Sequence, residues 1–170
     1  MLILSALIIA VSVILDQVTK YIALTRLKPI GSHPFIPKIL EFRFTLNEGI
    51  AWGMLEGKRW IFIPTSLIAI GVVIYIVARY RKEMSPLLCI SLSMIAGGGV
   101  GNQIDRIVSG AVVDFFNCLF IDFPIFNVAD CFVCVGCFLA IFSILIFDRN
   151  LLIDDKDIEK KRCKNKEEVK

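Results

Sequence analysis

Trp60-Ile-Phe-Ile-Pro-Thr-Ser-Leu-Ile-Ala-Ile-Gly-Val-Val-Ile-Tyr-Ile-Val-Ala78 runs for 19 residues without one charged side chain. At about 1.5 Å per residue this stretch spans about 30 Å, the thickness of a bilayer's hydrocarbon core. A helix that is apolar all round lies either in a large protein interior or in lipid. A chain of 170 residues is too short to wrap it in protein, so lipid is the solvent it implies. Three further apolar stretches stand out: Leu2 to about Leu24, uninterrupted as far as Leu15, Met84 to about Gly101, and Phe126 to Phe147, which carries one charge, Asp130. Spans of about 2–24, 60–78, 84–101 and 126–147 predict four transmembrane helices in one unit, residues 1–147, followed by a charged tail, 148–170. The first stretch lacks a basic leader and a small-x-small cleavage site, and reads as a retained span.

Composition agrees and excludes several classes. The chain is 56% hydrophobic and 21% charged, with a mean hydropathy of +0.74. A net charge of +3, from 19 basic against 16 acidic residues, is too balanced for a nucleic-acid binder. The single histidine, His33, excludes metal sites and triads built on several histidines. Six cysteines in so apolar a chain do not form the framework of a small secreted protein.

Basic residues set the orientation. The turn Arg79-Tyr-Arg-Lys-Glu83 holds three and the tail from Asp148 to Lys170 eight. The loop after span three holds only Arg106, and the loop from Thr25 to Arg59 holds six. Eleven against seven places both termini in the cytoplasm. The tail, with eight basic and seven acidic residues, reads as a solvated end. Within the first outer loop, Glu41-Phe-Arg-Phe-Thr-Leu46 alternates with period two, which predicts a strand burying Phe42, Phe44 and Leu46 on one face. Turn residues Asn47-Glu-Gly49 and a second apolar run, Ile50 to Leu55, follow. A small sheet at the outer membrane surface is expected, making the fold a four-helix membrane bundle with a small extracytoplasmic β-sheet.

The awkward polar residues fall at one depth. Asp16 lies about 20 Å along an outward-running span, with Lys20 one turn later on the same face. Asn102, Asp105 and Arg106 follow the outer end of span three, and share a side if that helix continues. Asp130 sits just inside the outer end of span four, and Asp114 lies in the strand-like Gly110-Ala-Val-Val-Asp-Phe-Phe116. An acid at a span's centre costs about 2.5–3.5 kcal/mol on insertion scales, less near the surface. Each residue alone has a structural reading: Asp16 and Lys20 as an interfacial ion pair with a snorkelling lysine, Asn127-Val-Ala-Asp130 as a helix cap, and Asp114 as a strand end. Together, carboxylates converging from separate segments suggest a shared site. Two neighbouring carboxylates cannot both ionise cheaply, so one acts as general base and its partner as general acid. Asp130, at a helix N-terminus, is the easier to ionise. Asp114, on an apolar strand, is the easier to keep protonated.

Five blocks in this order resemble bacterial lipoprotein signal peptidase, also called signal peptidase II. They are Asp16-Gln-Val-Thr-Lys20, Asn47-Glu-Gly-Ile-Ala-Trp52, Gly97-Gly-Gly-Val-Gly-Asn-Gln-Ile-Asp-Arg106, Val112-Val-Asp-Phe-Phe116 and Phe126-Asn-Val-Ala-Asp130. The resemblance covers residues 1 to about 147. It implies an intramembrane aspartic endopeptidase of the bacterial cytoplasmic membrane, with four spans and a small extracytoplasmic sheet. Such an enzyme removes signal peptides from prolipoproteins whose cysteine carries a diacylglyceryl group. The family's catalytic aspartates fall on Asp114 and Asp130. Its supporting residues fall on Asp16, Lys20, Asn47, Asn102, Asp105, Arg106 and Asn127, with Gly49 beside them. No metal or cofactor is implied; the partners are the lipid-modified signal peptide and membrane lipid, and one bundle with one site requires no second subunit.

Gly97, Gly98, Gly99 and Gly101 then admit two roles, close helix packing or a route for the signal peptide. Arg106 can pair with neighbouring acids or with lipid phosphate. Trp60 reads as an interfacial anchor and Trp52 as part of a lid. Rival classes fit less well. A four-helix membrane thiol oxidoreductase would use Cys131-Phe-Val-Cys134, but the outer loops offer only Cys118 for a second pair. A transporter would place its acids nearer the midplane.

Overall fold

The structure, a computed structural model, describes residues 1–49 and 59–152. In chain order these form helix α1 (Leu2–Ile22), a π-helical turn (Ala23–Leu27), strands β1 (Ser32–Ile36) and β2 (Leu40–Asn47), and helices α2 (Arg59–Tyr80) and α3 (Pro86–Val108). Strand β3 (Val112–Cys118), helix α4 (Val128–Ile146) and a 3-10 turn (Arg149–Leu152) complete them. The stretches Leu2–Leu27, Ile63–Tyr80, Pro86–Val108 and Val128–Ile146 are long and apolar enough to cross a membrane. The second apolar run after Gly49, Trp52 with its lid role, the side chain of Trp60 and the tail beyond Leu152 lie outside the described residues.

Helix α3 is the hub. Of its spanning window 56% is buried within the molecule, against 6% for that of α2. The glycines explain how three neighbours approach one helix. A Cβ on Gly97 would meet Ser12 Cβ of α1 at 2.7 Å, one on Gly99 would meet Ile70 Cγ1 of α2 at 2.9 Å, and one on Gly98 would collide with the Ala129 carbonyl oxygen of α4. The glycine run is therefore packing, with Gly97, Gly98 and Gly99 directed at α1, α4 and α2 in turn. Many buried helix positions are small or polar, including Ser5, Ser12, Ser91, Ser93 and Ser143, whereas Leu7, Ile68, Phe138 and Leu145 face outward. In lipid, apolar burial does not drive helices together, and small residues give close contact instead. Gly98→Ala should lower stability by about 1–3 kcal/mol, because the colliding atom is backbone and cannot swing aside. Gly71→Ala, with nothing within 4 Å of the added Cβ, should not. Unfolding in detergent, followed by denaturant titration, compares the two.

At the end away from the sheet, Asp148 joins α3 to α4. It accepts from Ser85 N at 2.6 Å, Ser85 Oγ at 2.6 Å and Ser143 Oγ at 2.7 Å. Burial by itself would raise the Asp148 pKa, but these hydrogen bonds outweigh it and hold the carboxyl below its ordinary value.

The sheet is antiparallel in the order β1-β2-β3. It packs through Val113 and Phe115, with Phe42 and Phe44 against them, on Ala23 and Leu27 of the π-helical turn. The expected alternation of β2 holds for Phe42 and Phe44 but not for Leu46, which is 48% exposed. A bulge causes the difference. Phe42 pairs with Phe116 but Thr45 with Asp114, so one extra β2 residue intervenes. A one-residue shift exchanges the faces of a strand. It turns Leu46 away and brings Asn47 to the face that carries Asp114.

Candidate active site

Three short-range devices deliver the polar residues to one place. Helix α3 continues past Gly101 to Val108, so Asn102, Asp105 and Arg106 stand on its last turns. Gly110, at φ +80°, then lets the chain reverse into β3, which carries Asp114. Next, Phe126 is tied to β3 by Phe116 N to Phe126 O at 2.8 Å and Phe126 N to Phe116 O at 3.1 Å. That fixes Asn127, the following residue, beside Asp114. Asn127 caps α4 in a reciprocal box: its Oδ1 accepts from Asp130 N at 3.1 Å, and Asp130 Oδ2 accepts from Asn127 N at 3.0 Å. The capping reading of these residues and the shared-site reading are therefore the same arrangement seen from two sides.

The two carboxylates meet across Asn127. Asp114 Oδ1 accepts from Asn127 Nδ2 at 2.6 Å and its Oδ2 from Asn47 Nδ2 at 2.9 Å. Asp130 Oδ1 accepts from Asn102 Nδ2 at 2.7 Å. Gly49 N donates to Asn47 Oδ1 at 3.0 Å, which orients that amide. Asp114, Asp130, Asn47, Asn102 and Arg106 line one cavity of about 580 Å³, walled otherwise by apolar groups such as Phe123 and Val135. Among the described residues Arg106 has no acid within ion-pair distance, and its guanidinium interacts with Asp130, Asp114 and Asp105 only at longer range.

Burial raises the Asp114 pKa from 3.8 to about 6. The amides of Asn47 and Asn127 pull it down and the Asp130 charge pushes it up. Between the unfolded value of 3.8 and the folded value of about 6, the native state binds more protons than the unfolded one. Stability therefore falls as pH rises through this window, by about 3 kcal/mol from this group once it is ionised.

Beneath the cavity lies a second, closed layer. Lys20 Nζ contacts Asp16 Oδ2 at 2.9 Å, Asp105 Oδ2 at 3.0 Å and Asn102 Oδ1 at 2.8 Å. Asp16 is fully buried and Lys20 is 2% exposed, so the lysine does not snorkel: it points inward. The reason is its partners, since three acceptors inside the bundle replace the water it would otherwise seek. Asp16 Oδ1 also accepts from Ala129 N at 3.0 Å, and Asp105 Oδ2 from Val113 N at 3.1 Å. Gly101 leaves room for this, as a Cβ there would lie 2.5 Å from Asp16 Oδ2. Sequence reading missed Gln17, whose Nε2 reaches Asp105 Oδ1 at 3.0 Å, Gly101 O at 3.1 Å and Asp16 Oδ2 at 3.2 Å. An uncharged polar residue between Asp16 and Lys20, in a span with no water to satisfy it, was the available signal.

Residues 8–146 match the family model described as "Signal peptidase (SPase) II". The chain belongs to the signal peptidase II family. Among curated relatives, the lipoprotein signal peptidase of Symbiobacterium thermophilum is 38% identical over 148 residues, 86% of this chain and 97% of that one. That of Brevibacillus brevis is 42% identical over 131 residues, 76% and 87% of the two chains. A bacterial membrane enzyme solved by the in meso method at 2.3 Å superposes with a TM-score of 0.76 at 38% identity, covering 86% of this chain and 90% of that one. As a member of the signal peptidase II family, the chain is a multi-pass membrane peptidase. Cys89, Cys118, Cys131, Cys134 and Cys137 are free thiols, and Cys131 and Cys134 line the same cavity as the carboxylates.

Proposed function

We propose that this protein is an aspartic endopeptidase of the bacterial cytoplasmic membrane. It removes signal peptides from diacylglyceryl-modified prolipoproteins by cleaving just before the modified cysteine. The observation that carries this reading is that Asp114 and Asp130 share one open cavity and one bridging residue, Asn127. Both termini lie in the cytoplasm, as the eleven-to-seven distribution of basic residues favours. This places the site at the outer interface, where substrate lipid and water are both available. Residues 1–147 form the catalytic unit, and the tail is dispensable for the chemistry.

The reaction needs one charged and one neutral carboxyl. Asp130, at a helix N-terminus, takes a proton from water while the water oxygen bonds to the scissile carbonyl carbon. Asp114, whose pKa burial raises to about 6, gives its proton to the carbonyl oxygen in the molecules that carry it. The proton on Asp130 then passes to the amide nitrogen as the C–N bond breaks, and the tetrahedral carbon regains its carbonyl by returning a proton to Asp114. Asn102 and Asn127 are positioning residues that aim Asp130 and Asp114. Arg106 offsets the negative charge of the pair.

Purified protein in detergent, incubated with a diacylglyceryl-modified prolipoprotein, should yield a mature product beginning at the modified cysteine by mass. Products cut elsewhere, or equal cleavage of an unmodified precursor, would overturn the substrate assignment. Because Asp114 must be protonated and titrates at about 6, kcat/KM should fall about tenfold per pH unit well above that value. A flat profile from pH 6 to 8 would exclude Asp114 as the acid.

A further inference from the structure

A second cavity, of about 470 Å³, lies where α1 meets the sheet, and its lining is almost wholly apolar: Ile22, Leu27, Ile30, Phe35 and Phe42 among others. Two groups in the lining are basic, Arg26 and His33, and none is acidic. Neither makes an ion pair among the described residues. Arg26 and His33 are both exposed, and so is Phe35, at 58%. Depth along α1 is informative. Arg26 follows Leu2 by about 36 Å of helix, just beyond a hydrocarbon core of about 30 Å, at the level of lipid phosphates. Ile22 stands one turn deeper, beside the acyl chains. The cavity thus has an apolar wall running from headgroup to hydrocarbon, and Arg26 stands at its headgroup end with no ion-pair partner among the described residues.

We propose that this cavity binds one anionic phospholipid of the surrounding bilayer, with an acyl chain along Ile22, Leu27 and Phe42 and the phosphate on Arg26. A guanidinium suits phosphate oxygens through paired, charge-assisted hydrogen bonds. The occupant is a phospholipid rather than the diacylglyceryl group of a substrate, because the latter carries no phosphate for Arg26 to hold. The site is separate from the Asp114–Asp130 cavity, so it stands whether or not the cleavage reaction is assigned correctly.

The full chain would be placed in nanodiscs of equimolar phosphatidylglycerol and phosphatidylcholine, extracted gently, and its retained lipid weighed by native mass spectrometry. Wild type should keep phosphatidylglycerol about tenfold over phosphatidylcholine. Arg26→Gln should abolish that preference, while Lys28→Gln, whose ammonium lies 5.8 Å over the Phe44 ring and outside the cavity lining, should preserve it. Phe35→Ala, which opens the apolar wall, should lower retention of both lipids. Equal retention of the two lipids by wild type, or a preference that survives Arg26→Gln, would overturn the proposal. So would full displacement of the lipid by glycerol 3-phosphate, which has the headgroup but no chain.

Discussion

Asp114→Asn and Asp130→Asn each lower cleavage of a diacylglyceryl-modified prolipoprotein by about 10³-fold or more, and the double variant is no worse than either alone. General acid–base groups contribute about 10²- to 10⁴-fold each, and two groups that hand over one proton act as a unit. The surroundings add to the loss. Asn127 cannot turn its amide to accommodate Asn at 114, because its Oδ1 is already held by Asp130 N. Asn47 is held likewise by Gly49 N. An amide at position 114 therefore sets a donor against a donor, at a cost of about 1–3 kcal/mol. Product formation by mass gives the rate, and unfolding midpoints of the same preparations show whether the fold survives. Cys131→Ala and Cys134→Ala should retain cleavage. Full activity in both aspartate variants would remove the two-carboxylate mechanism, and activity lost only in the cysteine variants would point to thiol chemistry.

Lys20→Met destabilises the protein by about 3–5 kcal/mol, the scale of a buried ion cluster that loses one partner. Methionine keeps the length and the apolar stem, so the loss is electrostatic rather than a cavity. Asp16 and Asp105 would then face each other with no cation between them, in a layer where both are buried. Adding Asp105→Asn to Lys20→Met should recover part of the stability, since it removes one of the uncompensated charges. Activity should fall too, because Asn102 Oδ1 loses one of the two donors, Lys20 Nζ and Asn127 Nδ2, that keep its Nδ2 directed at Asp130. Denaturant unfolding of the three variants in one detergent measures the series. A Lys20→Met protein as stable as wild type would show that the buried lysine does not hold the acids together.

Much of the architecture was legible because lipid imposes few solutions. A run such as Trp60 to Ala78 can only cross the bilayer as a helix, since every backbone group must be bonded within the segment. That Asp16 has partners was legible for the same reason: a carboxylate in a span costs too much to be there without them. The resemblance of five short blocks then named the family. Leu46 shows where this reading ends. Alternation predicted its burial, but the β2 bulge depends on how many residues β3 sets opposite, which β2 alone does not encode. The same bulge brings Asn47 to Asp114, so the error and the site share a cause.

The four spans, then, follow from the sequence alone, because cost in hydrocarbon and periodicity are local properties. Which way the polar groups point is a property of the folded molecule. Folding turned Lys20 inward, brought in Gln17, spread the α3 glycines over all three neighbouring helices and sent Leu46 outward. Those outcomes depend on partners distant in the chain, Asp16 with Ala129 and Lys20 with Asn102 and Asp105, and a hydrogen bond exists only once both ends have been placed.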